Sequence, residues 1–272
     1  MVADLHVHTA ASDGRYSPAA VWKLAVEAGL SHLAITDHDT LDGFLALAGV
    51  KADGPVLIPG VEFSTDLPAC EVHVLGYYFD PADRELNRQI DLIARDRLDR
   101  AERMVAKLAT LGYPVAFERV REIAGDASAV GRPHVAKALV ERGYFPDVSA
   151  VFAAVLGHDK PGYVPHYKLT PADTVALIKA AGGLAVLAHP GLVGDDDVVR
   201  AMIKLGVDGI EAYHPSHDTI ATSKYAALAA EHGLAVTGGS DFHGIPGRFP
   251  ERLGEFTIPA ALAQNLANLV QA

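Results

Sequence analysis

Six histidines and three carboxylates stand at the ends of successive short apolar runs in this 272-residue chain: His6, His8, Asp13, His38, Glu62, His73, His189, Asp241 and His243. The runs that carry them, among them HLAITDH, LAVLAH and LAVTGG, are continuously apolar. That is the pattern of parallel strands covered on both faces, and it leaves few folds that bring every polar end to one place. Seven such strands are expected, near Leu5, Leu33, Leu57, Val74, Ala185, Gly209 and Ala235. Helices separate them. Ser17 and Pro18 form a cap and first-turn proline, Val21, Leu24, Ala25 and Ala28 follow helical spacing, and Gly29 ends the segment. Thr170 and Pro171 repeat the device before Gly182 and Gly183. An α/β barrel with one potential ligand at the same end of each strand is therefore expected, since barrel enzymes build their sites at that end.

The spacing of the polar residues points to metal. His6 and His8 are two apart in an extended segment, so both rings share one face while Leu5 and Val7 take the other. Asp241 and His243 repeat that spacing near the far end of the chain. A lone H-x-H is often just a pair of partly buried polar residues. Recurrence at the end of every strand is what removes that reading. Imidazole and carboxylate donors with no thiolate suit two or three divalent ions, with Mn²⁺ first and Zn²⁺ or Fe²⁺ also compatible.

Taken together, D-x-H-x-H-T at Asp4 to Thr9, T-D-H-D at Thr36 to Asp39, E-x-S at Glu62 to Ser64, His189 with Pro190, and S-D-x-H at Ser240 to His243 resemble the polymerase and histidinol phosphatase (PHP) family of metal-dependent phosphoesterases, within the amidohydrolase group. The resemblance covers nearly the whole chain. It implies a distorted seven-stranded (β/α)7 barrel and three ion positions: His6, His8, Glu62 and Asp241; Glu62, His73 and His189; and Asp13, His38 and His243. Glu62 is then a bridge. Asp13, Glu62, Asp241 and His243 are the expected catalytic residues, acting around a metal-bound hydroxide that attacks phosphorus. Within the family the chain looks most like the branch linked to the tryptophan operon, whose members dephosphorylate nucleoside 3′,5′-bisphosphates or trim 5′-phosphorylated RNA.

Between the fourth and fifth strands the rhythm breaks. Residues 80–168 read as an inserted, mostly helical cap, opened by one long helix from Arg84 to Leu111 with Leu86, Ile90, Ile93, Leu98, Met104 and Leu108 on its apolar face. Residues 1–79 and 169–272 form the barrel. The chain carries a net charge of −11, yet the insert holds 14 basic and 13 acidic residues, so the remainder is at −12. Positive side chains thus collect where a cap meets an anionic substrate, although most of these charges are explained by i,i+4 pairing on a solvated helix. Three groups stand out. Arg132 and His134 flank Pro133 at a helix start suited to phosphate. Arg97 and Arg100 are three apart on the long helix. Lys160 either reaches substrate or sits in a turn set by Gly157, Pro161 and Gly162.

His217 and His214, in EAYHPSHD after the sixth strand, sit at the functional end, and one of them orients substrate or protonates the leaving group. His32 and His232 lie beside helix ends, and His158 and His166 fall in loops of the insert; none is recruited to the site. The protein is too acidic for a duplex-binding face, so a small phosphorylated nucleotide or a short single-stranded RNA is the expected partner. Cys70 is the only cysteine and fits a reducing compartment. With no apolar leader before the first ligand strand and no membrane-length apolar run, a cytoplasmic protein is expected; oligomeric state is not legible. The first functional reading is removal of the 3′-phosphate from nucleoside 3′,5′-bisphosphates. A 5′ to 3′ exoribonuclease comes second, a histidinol phosphatase third, and a non-catalytic scaffold is the alternative from another class.

Overall fold

In the computed structural model, which describes residues 1–50, 53–67, 70–125, 130–165 and 169–271, all seven expected strands form. They are β1 (Val2–Val7), β2 (Leu30–Ile35), β3 (Val56–Asp66), β4 (Glu71–Tyr77), β5 (Leu184–Leu187), β6 (Gly209–Tyr213) and β7 (Ala235–Gly238). A two-residue stub, β8 (Ile258–Pro259), pairs antiparallel with β1 and makes the sheet eight-stranded, in the order β7-β6-β5-β4-β3-β2-β1-β8. A parallel bridge between Val7 and Phe242, with His8 N–H donating to Phe242 O at 3.0 Å, brings the two ends of the sheet together and nearly closes a barrel.

The sheet is mixed, where continuous apolar runs led us to expect it to be all parallel. β4 runs antiparallel to both of its neighbours. Only four residues join β3 to β4, too few for a crossover of about a dozen, so a hairpin is the only connection that can form. The apolar run looked parallel because β4 is largely buried, with the helix Pro171–Ala180 packed on it; burial, not strand direction, sets that pattern.

Two compact units divide the chain: Met1–Gln89 with Lys168–Ala272, and Ile90–Tyr167. The second starts later than residue 80, because Asp80 N–H is held by Ala181 O and keeps the chain there with the first unit. In that first unit the caps form as expected: Ser17 Oγ accepts from Ala20 N–H at 3.3 Å and Thr170 Oγ1 from Asp173 N–H at 3.1 Å. Its core joins Ala3, Leu5, Ile58, Leu75 and Val186 of the strands to Ala263 and Leu266 of the last helix, Ala260–Gln271.

The described elements of the second unit are all helices. They pack Met104 and Leu108 of the long helix Arg84–Thr110 against Val120, Val135, Leu139 and Leu156. Leu98 is exposed, contrary to expectation. At roughly 100° per residue it lies about 120° from the stripe through Leu86, Met104 and Leu108, whereas Arg97 and Arg100 fall on that stripe. His166 lies outside the described residues. No described helix is long and apolar enough to cross a membrane.

Candidate metal centre

Alternation along β1 sends Ala3 and Leu5 into the apolar core and turns Asp4 and His6 the other way, with His8 following just past the strand. Asp4, His6 and His8 are all fully buried. Asp4 serves the backbone: its Oδ1 accepts from Ser240 N–H at 2.9 Å and His6 N–H at 3.3 Å, lacing β1 to the segment after β7. Burial pushes its pKa up to about 6. Gly239 approaches β1 so closely that a Cβ there would collide with the His6 backbone.

Glu62 is the hub. Backbone pairing of the chain after β2 with β3, through Asp39 N–H to Glu62 O and Glu62 N–H to Asp37 O, sets His38 beside it. Its Oε1 lies 2.8 Å from His73 Nδ1 and 2.9 Å from His189 Nε2. Its Oε2 lies 3.2 Å from both His6 Nε2 and His8 Nε2, and 3.1 Å from His38 Nδ1. Asp241 Oδ1 is 3.2 Å from His8 Nε2 and 3.5 Å from His6 Nε2. Asp13 Oδ1 is 3.2 Å from His243 Nε2 and 3.7 Å from His8 Nδ1, and its Oδ2 is 4.0 Å from His38 Nε2.

The nine residues therefore fall into four overlapping groups whose donor atoms lie within 4.8 Å of one another: His8, Asp13, His38 and His243; His6, His8 and Asp241; His6, Glu62 and His189; and His38, Glu62 and His73. His8 and His38 each belong to two groups, a sharing that strand spacing does not show. His6, His8 and Glu62 form a buried floor, while Asp13, His38 and His73 make a half-buried rim. His189 and Asp241 hold left-handed backbone, at φ 23° and 49°, as does Asp39 beside the cluster at 53°. Such conformations are costly for non-glycine residues and persist where surrounding structure enforces them.

The residues present fit divalent cations. His6 Nε2 and His8 Nε2 face one another at 3.1 Å, and Nδ1 of His8 and of His189 are buried without a hydrogen-bond partner. Burial opposes charge on Glu62, Asp13, Asp241, His6, His8 and His73, yet these carboxylates and imidazoles overcome it mutually. Burial would raise the Glu62, Asp13 and Asp241 pKa values, but neighbouring histidines hold all three well below the usual carboxylate range. Burial would lower His8 and His73, yet contacts with Asp241 and Glu62 raise His8 to about 9 and Glu62 raises His73 to about 10. His38 instead follows burial, down to about 4. Three ionised carboxylates in a buried site call for positive charge, and ions that replace ring protons supply it.

A further carboxylate escaped the sequence reading. Glu211 on β6 is fully buried; its Oε1 lies 2.9 Å from His6 Nδ1, and its Oε2 accepts from His189 N–H at 2.7 Å. It thereby turns His6 Nε2 toward the cluster, the outer carboxylate partner that metal-binding imidazoles usually have. The signal was a single acid inside the apolar run GIEAY. Asp37 plays a parallel part for the loop after β1, accepting from Thr9 N–H, Thr9 Oγ1 and Ser12 Oγ at 2.6–2.7 Å.

Of the two histidines after β6, His217 is spent on backbone. Its Nδ1–H donates to Ala212 O at 2.9 Å and its Nε2 accepts from Gly191 N–H at 3.0 Å, which removes it from the substrate contacts expected of it. Burial also lowers its pKa. His214 is the one at the cluster, with Nε2 3.6 Å from Asp241 Oδ2. Arg248 Nη2 donates to that same oxygen at 2.6 Å.

In the inserted unit, the stripe position of Arg100 buries it: Nε donates to Val164 O at 2.6 Å and the guanidinium lies 5.3 Å from the Tyr163 ring centroid. Arg132 lies 5.7 Å from Phe152 and 5.9 Å from Tyr163, so two arginines share one ring. Phe152 opens a π-helical turn, Phe152–Leu156, an irregularity frequent at functional sites. Arg97 lies beside Gly131, the residue before the helix Arg132–Glu141. His134 Nδ1 accepts from Gly131 N–H at 3.0 Å, which caps that helix and leaves the ring proton on Nε2. Lys160 is in the turn, paired with Asp159 at 3.2 Å.

A family model described as the PHP domain matches residues 4–160. A 3′,5′-nucleoside bisphosphate phosphatase of Chromobacterium violaceum is 36% identical over 249 residues, 88% of this chain and 86% of that protein. The 5′-3′ exoribonuclease Rnm of Escherichia coli is 34% identical, over 89% of this chain and 85% of its own. A crystal structure described as a metal-dependent phosphoesterase from Bifidobacterium adolescentis superposes with a TM-score of 0.86 at 31% identity, covering 98% of this chain and 95% of that one.

Proposed function

This chain belongs to the PHP domain family and is a metal-dependent phosphoester hydrolase, and from that premise we propose that it removes the 3′-phosphate of nucleoside 3′,5′-bisphosphates, leaving the 5′-monophosphate. The observation that carries this reading is the presence of two distinct charged sets. One is a buried cluster of carboxylates and imidazoles that calls for cations. The other is an inserted unit in which Arg97, Arg100 and Arg132 supply positive donors and His134 a neutral Nε2–H. A substrate with two phosphates carries one group of the kind that each set can hold.

Glu62 with His6, His8 and Asp241, Glu62 with His73 and His189, and Asp13 with His38 and His243 would hold the ions, with Mn²⁺, Zn²⁺ or Fe²⁺ suited to these donors. When bound, divalent ions polarise phosphate oxygens and lower the pKa of water toward about 7, so that a nucleophile is available at neutral pH. The chain's own residues do the positioning. Glu62 spaces two groups of imidazoles through its two oxygens. Glu211 fixes the tautomer and plane of His6, and ties His189 to β6. Asp37 holds the loop that carries Asp13 through Thr9 and Ser12.

In the inserted unit, aromatic faces orient Arg100 and Arg132, and a charge-assisted bond from Arg132 anchors the phosphate that is not attacked. The runner-up is 5′ to 3′ exoribonuclease action, favoured by the likeness to Rnm. The same anchor then takes the 5′-phosphate of an RNA end, and the attacked group is a diester.

Phosphate release from adenosine 3′,5′-bisphosphate, AMP, 3′-AMP and a short 5′-phosphorylated RNA, each with and without Mn²⁺, tests the proposal. Rapid conversion of the bisphosphate to AMP is expected. Stepwise mononucleotide release from the RNA with little bisphosphate turnover would overturn the first reading in favour of the second.

A further inference from the structure

A cleft of about 310 Å³ opens beside Asp241 within the barrel unit, lined among others by Leu192, His214, Ser216, Arg248 and Phe249. Its size falls at the lower end of small-molecule sites, about 300–1,000 Å³. Asp241 of the nine-residue cluster forms part of its wall, the other lining residues lie outside that cluster, and three features of the lining point to a ligand.

His214 is 4% exposed, and its Nδ1 accepts from Ser216 N–H at 3.1 Å, which places the ring proton on Nε2. That Nε2 is buried without a hydrogen-bond partner, since Asp241 Oδ2 at 3.6 Å is out of reach. A buried donor with no acceptor is unfavourable unless something arrives to accept. Arg248 is fixed at one corner by Asp241, yet its side chain remains 46% exposed, so the guanidinium is held at the edge of the cluster without being enclosed. Phe249, the next residue, is 59% exposed, an aromatic surface that packs into neither core cluster of the barrel unit.

We propose that this cleft is the leaving-group subsite and takes the nucleoside of the substrate. The base lies against Phe249 and Leu192. His214 Nε2–H donates to the ester or ribose oxygen nearest the cluster. Arg248 stays anchored on Asp241 and offers its remaining N–H groups to the ribose and phosphate oxygens. An apolar, aromatic wall with donors at its inner end matches a nucleoside, which is flat and apolar at the base and oxygen-rich at the sugar; a free sugar phosphate leaves Phe249 without a partner. This inference rests on the nucleotide reading above and names which part of the barrel recognises that substrate.

The test separates the two ideas. AMP and inorganic phosphate are titrated calorimetrically into chelator-treated protein, wild type and Phe249→Ala. The Mn²⁺-loaded forms are then compared on adenosine 3′,5′-bisphosphate and glycerol 2-phosphate. Loss of one base–aromatic stack lowers AMP affinity about tenfold relative to phosphate, and lowers the preference for the bisphosphate over glycerol 2-phosphate by about the same factor. Ile245→Ala, on the same loop and outside the cleft, shifts AMP affinity by no more than about twofold. AMP affinity within about twofold of wild type in Phe249→Ala, equal losses for AMP and phosphate, or an Ile245→Ala loss as large as that of Phe249→Ala would each overturn the subsite. Absence of bisphosphate turnover by the wild type would sink the proposed substrate, while the AMP titration still decides the cleft.

Discussion

In the barrel unit, five imidazoles close on the two oxygens of Glu62, so its buried charge is surrounded by buried and half-buried rings. In the inserted unit the conspicuous charges are arginines held by ring faces and a backbone carbonyl: Arg100 on Tyr163 and Val164 O, Arg132 on Phe152 and Tyr163. The first arrangement is incomplete as a set of side chains, because His6 Nε2 and His8 Nε2 face one another at 3.1 Å. The second is positive in sign and rests on ring faces. One unit gathers donors that suit cations, and the other packs its arginines on rings. A net charge of −12 outside residues 80–168, against +1 within, expresses that division along the chain.

The sharpest way to break the contrast is to remove the hub. Glu62→Ala strips the carboxylate from five imidazoles at once. Bound metal by elemental analysis should drop by more than one equivalent, with phosphatase turnover falling at least about a hundredfold, more than an outer partner costs. Loss of one equivalent or less would mean that Glu62 does not bridge.

Glu211→Gln tests the layer behind the hub. A neutral amide no longer charges the bond to His6, so metal affinity should weaken by about 10- to 100-fold while the fold is retained, as read by metal titration and circular dichroism. Unchanged affinity would make Glu211 a strut for β6 alone.

Arg132→Ala probes the other unit. Losing a charge-assisted phosphate contact worth about 1.5–3 kcal/mol should lower kcat/KM for a 3′,5′-bisphosphate by about 10- to 100-fold and for a simple alkyl phosphate far less. Equal losses would return the residue to packing against Phe152 and Tyr163.

The smallest effect is a dependence on pH confined to the barrel unit. His8 and His73 have folded pKa values raised from 6.5 to about 9 and about 10. Their stabilisation is therefore complete below about pH 6.5 and is lost as pH rises through 9 to 10. The unfolding midpoint of chelated protein should fall across that window, and saturating Mn²⁺ should suppress the fall because ions take the place of the protons. A midpoint flat from pH 6.5 to 10 in the chelated protein would show that these rings are not proton-loaded.

Nine ligand candidates and seven strands could be read from the chain because both leave local marks. A strand buried on both faces must be continuously apolar, and a ligand at its end interrupts that run with a polar residue. Period-two spacing likewise assigned His6 and His8 to one face without any tertiary information. Direction and partnership leave no such mark. β4 is antiparallel because its link to β3 is short, and its composition carries no trace of that. His214 and His217 lie three residues apart in the same motif, yet one meets the cluster and the other clips backbone, a choice made by which elements their rings reach. Glu211, Arg248 and the sharing of His8 and His38 between groups depend on segments far apart along the chain. Local periodicity determined which residues are buried and which end of each strand is polar. Only the folded sheet, by fixing distances between those ends, decided which donors meet, which carboxylate orients them and where a cleft is left beside them.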